Sequence, residues 1–289
     1  MSQSLICSRK IHDYSSFKAL VDRSITTVTS EMLEGDTIIG ASAFSGCTSL
    51  TSIEIPDSVA DVGEYAFSGC TSLTSVEIPD GVTSIGGYAF YGCTSLTSIE
   101  IPDGVTSIGG YAFYKCRSLA SIEIPNDVTK IMEYVFYDCT SLASIEIPDG
   151  VTSIGYYAFF NCVRLTSVEI PNSVTDIFGF AFSQTGLTSI EIPDSVTSIR
   201  DSAFMNCSRL TSIEVPNGVT SIGVRAFAQC ARLTSATVHA TTPPTLGNYA
   251  FLSVGTNFKI YVPSESVETY KSASGWSTYA SKIQAISEA

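Results

Sequence analysis

The sequence has nine cysteines, which are residues that could do chemistry, and eight of them share one register of a repeat. Each of the eight lies three residues after a phenylalanine: Cys47, Cys70, Cys93, Cys116, Cys139, Cys162, Cys207 and Cys230. In stacked coils they would lie about 5 Å apart, yet all would point the same way into the core, which is poor bridging geometry. Because a buried free cysteine behaves as a small apolar residue, we predict core thiols, with disulfides or a metal site as the alternatives.

Catalytic motifs are missing from the sequence. Its two histidines, His12 and His239, stand far apart, one toward each end of the chain. None of the patterns H-E-x-x-H, C-x-x-C, G-x-S-x-G or a phosphate-binding P-loop occurs. We therefore predict that the protein is not an enzyme, that it has no catalytic residue, and that it uses neither a metal nor any other cofactor.

A column of glutamates occupies one position of a strand-like segment. It consists of Glu54, Glu77, Glu100, Glu123, Glu146, Glu169, Glu191 and Glu214. Strand alternation sends Val76 and Ile78 inward and Glu77 outward, and neighbouring carboxylates about 5 Å apart in water repel by roughly 0.8 kcal/mol. We predict an acidic stripe that binds a basic partner or divalent cations. The alternatives are solubility, protection against sheet aggregation, and simple copying of the repeat.

Aromatic residues form a second, less uniform pair of columns. In four consecutive central coils they are Tyr88, Tyr91, Tyr111, Tyr114, Tyr134, Tyr137, Tyr157 and Phe160. Tyrosine is favoured in recognition because it offers contact area at little entropic cost and carries a polar tip. We predict an aromatic binding patch. The alternative is that each ring stacks on the next coil and stabilises the array.

These columns exist because the chain repeats itself. A phenylalanine recurs at 23-residue spacing six times and then at 22, 23 and 24, at Phe44, Phe67, Phe90, Phe113, Phe136, Phe159, Phe182, Phe204, Phe227 and Phe251. Each repeat predicts a strand, a proline that ends it, a turn, a second short strand such as Val82 to Ile85, and about one turn of helix or 3₁₀-helix. The seventh coil is one residue short and lacks the cysteine, which predicts either a neutral deletion or a local bend.

A repeat this short cannot bury its own apolar face, so stacking must build the core. We predict a leucine-rich repeat solenoid of about ten right-handed coils, with parallel β-ladders, one-turn helices and short helical caps at both ends. The predicted domains are an N-terminal cap at residues 1–24, the solenoid at 25–238, and a last coil with the C-terminal cap at 239–289. The caps contain helices from Tyr14 to Arg23 and from Ser264 to about Ala273, and Trp276 and Tyr270 cover the last coil.

The pattern I-G-x-x-A-F-x-x-C-x-x-L-x-x-I-x-I-P, over roughly residues 25 to 262, resembles the BspA-type leucine-rich repeat family. The resemblance implies a bacterial or protist surface protein that adheres to host matrix proteins, host cells or other microbes, with no catalytic residue to transfer. Residues 260 to 279 are similar to the terminal cap of such proteins from gut bacteria and their phages. The expected function is a non-enzymatic, adhesion-type protein that binds a protein or a glycan; the alternative is a structural or host-recognition component of a phage or prophage particle.

Composition limits the partners. The net charge of −13 repels phosphate backbones, so nucleic acid is not expected to bind. No apolar run approaches the roughly 20 residues that span a bilayer, and the start of the sequence lacks the regions of a secretory signal. We expect a monomer. It would lie at the cell surface or be secreted if a signal peptide was removed; otherwise it would be made in the cytoplasm and be available for incorporation into a virion.

Overall fold

The structure, a computed structural model, describes residues 23–287. Nearly all of the predicted N-terminal cap, including its helix before Arg23, lies outside these residues. The chain divides into two compact units, Met1–Ile145 and Glu146–Ala289. In the described residues each unit is a parallel β-solenoid with little helix, and about eleven turns are present in total. The prediction of a leucine-rich repeat solenoid is confirmed.

Two parallel ladders run through the first unit. The first ladder contains Thr27–Val28, Ser52–Ile53, Ser75–Glu77, Ser98–Glu100, Ser121–Ile122 and Ser144–Ile145. The second contains Ile38–Ile39, Asp61–Val62, Ser84–Ile85 and Ser107–Ile108, and the strand Lys130–Ile131 holds the equivalent position in the following coil. A short 3₁₀-helix spans Ser30–Leu33. The register brings equivalent residues together, so that Glu77 lies beside Glu100.

The second unit repeats this arrangement with fewer regular strands in the first ladder. That ladder contains Ser212–Val215, Ser235–Val238, Lys259–Val262 and Ile283–Ala285. The second ladder contains Ser153–Ile154, Asp176–Ile177, Ser198–Ile199, Ser221–Ile222 and Thr245–Leu246. In both units the amide of the residue three after a strand-ending proline closes a turn, as Val82 does on Pro79 at 3.0 Å.

The core of each unit is built from stacked columns. Phenylalanine rings of successive coils lie nearly parallel, with centroids 5.2 Å apart for Phe67 and Phe90 and 5.4 Å apart for Phe204 and Phe227. These four side chains are fully buried. Burying one such side chain stabilises the fold by about 1.5–3 kcal/mol, so the array is held by many equal contributions between neighbouring coils.

The segment around each core phenylalanine differs from the predicted helical turn. The amides of Ala89, Tyr91 and Cys93 bond three residues back, as in a 3₁₀ turn. The intervening amides of Tyr88, Phe90 and Gly92 instead donate to the next coil at 2.7–3.0 Å. This alternation needs left-handed backbone at the residues two before and two after the phenylalanine, with φ of 58° at Tyr88 and 70° at Gly92. In a continuous helix every amide would bond within its own coil. The observed alternation instead provides an additional set of hydrogen bonds between coils.

The short seventh coil keeps its core filled. Thr185 takes the place of the missing cysteine and is buried. Its hydroxyl donates to the Phe182 carbonyl at 2.8 Å and lies 3.2 Å from Sγ of Cys207. Gly186 then passes so close to the preceding coil that a Cβ there would overlap the Val163 carbonyl. The deletion is thus accommodated locally by a small polar side chain and a glycine.

The C-terminal end is closed by the predicted aromatic residues. A 3₁₀-helix at Ser264–Ser266 leads into an α-helix at Val267–Ser272, and a further 3₁₀-helix spans Trp276–Lys282. The Trp276 indole donates to the Pro244 carbonyl at 2.7 Å, and the Tyr270 hydroxyl donates to the Ala240 carbonyl at 2.7 Å. Both side chains are fully buried. The sequence does not predict the final strand, Ile283–Ala285, which adds one more parallel strand to the first ladder.

Candidate binding surfaces

The predicted glutamate column is divided between the two units. In the first unit it comprises Glu54, Glu77, Glu100 and Glu123, which we call the acidic strand face, and all four are exposed. They stand outward because the alternate isoleucines and valines are buried in the core. A shallow depression of about 480 Å³ lies on this face and is lined by Glu77, Glu100 and Glu123 together with Asp80 and Asp103.

The acidic strand face lacks compensating charge. Among residues 23–145, Arg117 forms an ion pair with Asp138 at 2.7 Å, and this pair involves none of the four glutamates. The Lys115 ammonium lies over the Tyr114 ring at 5.2 Å. That segment of sequence carries 15 carboxylates and 4 basic side chains, a formal charge of −11. Most of the net charge of the protein is therefore carried by the first unit.

The glutamates of the second unit lie in a more balanced environment. Glu146, Glu169, Glu191 and Glu214 are exposed as predicted. Glu214 lies 3.4 Å from the His239 imidazole, and the register continues from Glu214 to Thr237 and Tyr261 rather than to another carboxylate. Residues 146–289 contain 11 carboxylates and 8 basic side chains. The second unit as a whole is therefore nearer to charge balance than the first, and its glutamate column ends at Glu214.

The aromatic columns form stacks. In the first unit Tyr65, Tyr88, Tyr111 and Tyr134 lie ring on ring, with centroids 4.4–4.5 Å apart. Tyr91, Tyr114 and Tyr137 form a parallel stack at 4.6–4.7 Å. In the second unit Tyr157 stacks on Phe180 at 4.5 Å and meets Phe160 at a tilt. Ring faces inside these stacks cover one another, which leaves ring edges and hydroxyl groups toward solvent.

The stacked phenols are poor acids. The pKa of Tyr111 is raised to about 12, mainly by burial and to a smaller extent by the neighbouring phenols of Tyr134 and Tyr88. Burial also raises the pKa of Tyr114 and of Tyr137. Ionising Tyr111, Tyr114 or Tyr137 would place a charge beside the next ring, so these three phenols resist ionisation.

The cysteine column lies in the core, as predicted. All eight thiols are free and buried. Thiols of this column donate to the carbonyl of the phenylalanine in the preceding coil, as Cys93 does to Phe67 at 3.1 Å. The same bond is formed by Cys70, Cys116, Cys139, Cys207 and Cys230. Burial raises the pKa of the Cys70 thiol to about 12 and that of Cys93 well above its ordinary value. These thiols are therefore apolar core groups that also bridge adjacent coils.

One exposed cluster belongs to none of the columns predicted from the sequence. In the second unit Tyr156 is 51% exposed, and its ring meets that of Phe178 at 5.0 Å. The Arg200 guanidinium lies 5.8 Å from the Phe178 centroid and 3.4 Å from the Asp176 carboxylate. The sequence signal lies four residues before the core phenylalanine. Glycine stands there in seven of the ten coils, and the other three have Met132, Phe178 and Arg200.

Two further properties concern residues 23–287. No helix in this range is long and apolar enough to span a membrane. No group of three or more histidine, cysteine, aspartate or glutamate side chains in the same range is arranged to hold a metal ion.

Comparison with known proteins identifies what the chain is similar to. The family model described as BspA type leucine rich repeat region matches residues 22–143 and 129–259. A leucine-rich repeat protein from Bacteroides ovatus is 28% identical with a TM-score of 0.58, the match covering 92% of this chain and 85% of that one. The Treponema pallidum leucine-rich repeat protein is 32% identical, with a TM-score of 0.49, and 68% and 82% are covered.

A leucine-rich cell surface protein from Faecalibacterium prausnitzii is 27% identical to the chain, with a TM-score of 0.38, and 78% of this chain and 82% of that one are covered. No curated protein matches the sequence.

Proposed function

The chain belongs to the BspA-type leucine-rich repeat family, and from that premise we propose that it is a non-enzymatic binding protein whose acidic strand face holds a basic protein partner. The family is a repeat scaffold rather than an enzymatic family. Adhesion at a bacterial surface, which the family resemblance implies, is the biological setting of this proposal. Its ligand would be a protein segment rich in lysine and arginine.

The observation that carries the proposal is the uncompensated charge of the acidic strand face. Glu77 and Glu100 are direct neighbours in the parallel register, where strands lie about 4.8 Å apart. Neighbouring carboxylates at that distance repel by roughly 0.8 kcal/mol in water. A basic partner would remove this repulsion on binding, and its approach would be accelerated by the field of a surface of one sign.

The shape of the face supports a protein ligand. The depression over Glu77, Glu100 and Glu123 is open and shallow, and serines and isoleucines lie between the carboxylates. Extended basic segments can contact several coils of such a surface at once, because solenoids present long continuous faces. The predicted aromatic patch remains a prediction: its stacked ring faces support a role in holding the coils together, while its exposed edges could still contribute to binding.

The experiment compares two triple variants of equal charge. Glu77→Gln/Glu100→Gln/Glu123→Gln neutralises the acidic strand face. Glu34→Gln/Glu64→Gln/Glu133→Gln removes the same charge from exposed positions away from it. Binding of wild type and both variants to a nonalysine peptide and to immobilised extracellular-matrix proteins is measured by biolayer interferometry at physiological salt.

We expect the strand-face variant to lose at least about tenfold in affinity, equal to about 1.4 kcal/mol, and the control to keep wild-type binding. Equal losses in both variants would show that only net charge matters. Unchanged binding by the strand-face variant would refute the proposed face.

A further inference from the structure

A second exposed surface, on the other unit and beside the other ladder, combines aromatic rings with a paired arginine and aspartate. It is formed by Tyr156, Phe178 and Arg200 on three successive coils, with Asp176 beside Arg200, and we call it the Tyr156 cluster. Two of these residues stand where the second unit otherwise has glycine: Gly155, Gly223 and Gly247 hold the equivalent positions.

The backbone explains why glycine is usual there. A Cβ at Gly223 would lie 2.5 Å from the Asp201 amide nitrogen of the preceding coil, which no side chain tolerates without a shift. Simple copying of the repeat would therefore reproduce glycine. An aromatic and a basic residue at two consecutive coils are departures that the local backbone must accommodate, so repeat copying does not account for them.

The cluster presents an open aromatic ring. The Tyr156 ring lies on the backbone of Gly179, where an added Cβ would be only 3.2 Å from Cε1 of the ring. Half of the Tyr156 side chain is nonetheless exposed. Phe178 lies between Tyr156 and Arg200, contacting the first at a 50° tilt and the second through a cation–π contact. Because Gly179 has no side chain, the Tyr156 ring can pack against its backbone at the surface.

Polar groups lie on the other side of Phe178 from the Tyr156 ring, and their charges cancel. The Arg200 guanidinium and the Asp176 carboxylate form an exposed ion pair at 3.4 Å, with side-chain exposures of 49% and 39%. The Thr175 hydroxyl also donates to this carboxylate, at 2.9 Å. Arginine has five N–H donors in total and a carboxylate has several acceptor sites, so both groups keep capacity for hydroxyl groups of a ligand.

These features together select the ligand class. An anion would have to compete with Asp176 for Arg200, and a cation would have to compete with Arg200 for Asp176. A neutral sugar needs neither exchange: its C–H face rests on the electron-rich face of a tyrosine, and its hydroxyls bond to the paired groups. Three coils span only roughly 10 Å along the stack, too little for the 800 Å² or so that each partner buries in a standard protein interface.

We propose that the Tyr156 cluster is a subsite for a neutral carbohydrate, with Tyr156 as the stacking platform and Asp176 and Arg200 as hydroxyl-binding groups. This subsite does not depend on the acidic strand face, which lies on the first unit. A protein that binds a basic partner with one surface and a glycan with another would have two independent attachment points.

The test uses an array of defined neutral oligosaccharides, namely linear glucans, mannans, galactans and xylans, followed by calorimetric titration with the strongest binder. We expect binding by the wild-type protein, at least a tenfold loss in Tyr156→Ala, and a smaller loss in Arg200→Gln. Tyr249→Ala is the matched control, because Tyr249 is 57% exposed in the same unit and also lies beside an arginine, 6.0 Å from Arg225.

The outcomes separate clearly when thermal melting shows that each variant is folded. Binding that falls in Tyr156→Ala and persists in Tyr249→Ala supports the subsite. Absence of binding to every neutral oligosaccharide at millimolar concentration overturns it, as do equal losses in both tyrosine variants. Glu77→Gln/Glu100→Gln/Glu123→Gln should bind the oligosaccharide normally, so failure of the protein-binding face and failure of this subsite can be told apart.

Discussion

Replacement of Glu100 by glutamine should stabilise the protein, and by an amount that depends on salt. Glu100 lies beside Glu77 in the parallel register, and the next outward residue along the face is Glu123. Each neighbour at about 5 Å contributes roughly 0.8 kcal/mol of repulsion in water. Because exposed side chains can turn away from one another, we expect a gain of about 1 kcal/mol rather than the full sum of about 1.6 kcal/mol.

Salt decides whether this reasoning is correct. The screening length is about 30 Å at 0.01 M and about 3 Å at 1 M. Glu100→Gln should therefore raise the free energy of unfolding by about 1 kcal/mol in 10 mM NaCl and by less than about 0.3 kcal/mol in 1 M NaCl.

The assay is urea unfolding followed by circular dichroism, with Glu64→Gln as the control at an exposed carboxylate off the strand face. If Glu100→Gln is neutral or destabilising in low salt, the glutamates do not repel as described, and the main support for a basic partner is lost.

Three further predictions concern the fold. Gly92→Ala should cost about 1–2 kcal/mol, because φ is 70° there although open space surrounds the position. Gly109→Ala should cost about 3 kcal/mol or more, because its Cβ would overlap the Gly87 backbone, and similar unfolding midpoints for the two variants would contradict this ranking. Trp276→Ala should lower stability by about 3–5 kcal/mol by opening the end of the core, and calorimetry showing an unchanged melting temperature would mean that the cap is dispensable. Tyr111 should ionise near pH 12 in the folded protein, above its ordinary pKa of 10. Its contribution to stability is therefore complete below pH 10 and is lost as pH rises toward 12. Ultraviolet titration of wild type and Tyr111→Phe tests this, and ordinary ionisation of Tyr111 would contradict it.

The columns were predictable because the spacing of the repeat determines which residues meet. A residue such as Phe90 meets the residue 23 positions later in the next coil, so stacking of Phe90 and Phe113 follows from the period alone. The outward position of Glu77 follows in the same way from strand alternation. The stacking of Tyr111 on Tyr134 was one of two alternatives that the spacing left open, and the structure shows that the rings do stack.

Other features depend on distances that the period does not contain. The Phe90 amide donates to the Ala112 carbonyl of the next coil rather than within its own coil. This bond requires left-handed backbone on each side of Phe90. Sequence spacing indicates three residues per turn but cannot show which amides leave the coil. The Cys93 thiol likewise finds its carbonyl partner only because stacking brings Phe67 beneath it.

The sequence by itself determined the repeat, the apolar columns and the outward glutamates, because each depends on the alternation of residues within a strand and on the constant spacing of the repeat. Tertiary structure decided what lies between columns. It placed Gly179 beneath the Tyr156 ring, Phe178 beside that ring and Arg200 beside Asp176. These contacts join different positions of different coils, so no single repeat encodes them, and they arise only when the coils stack at their actual separation.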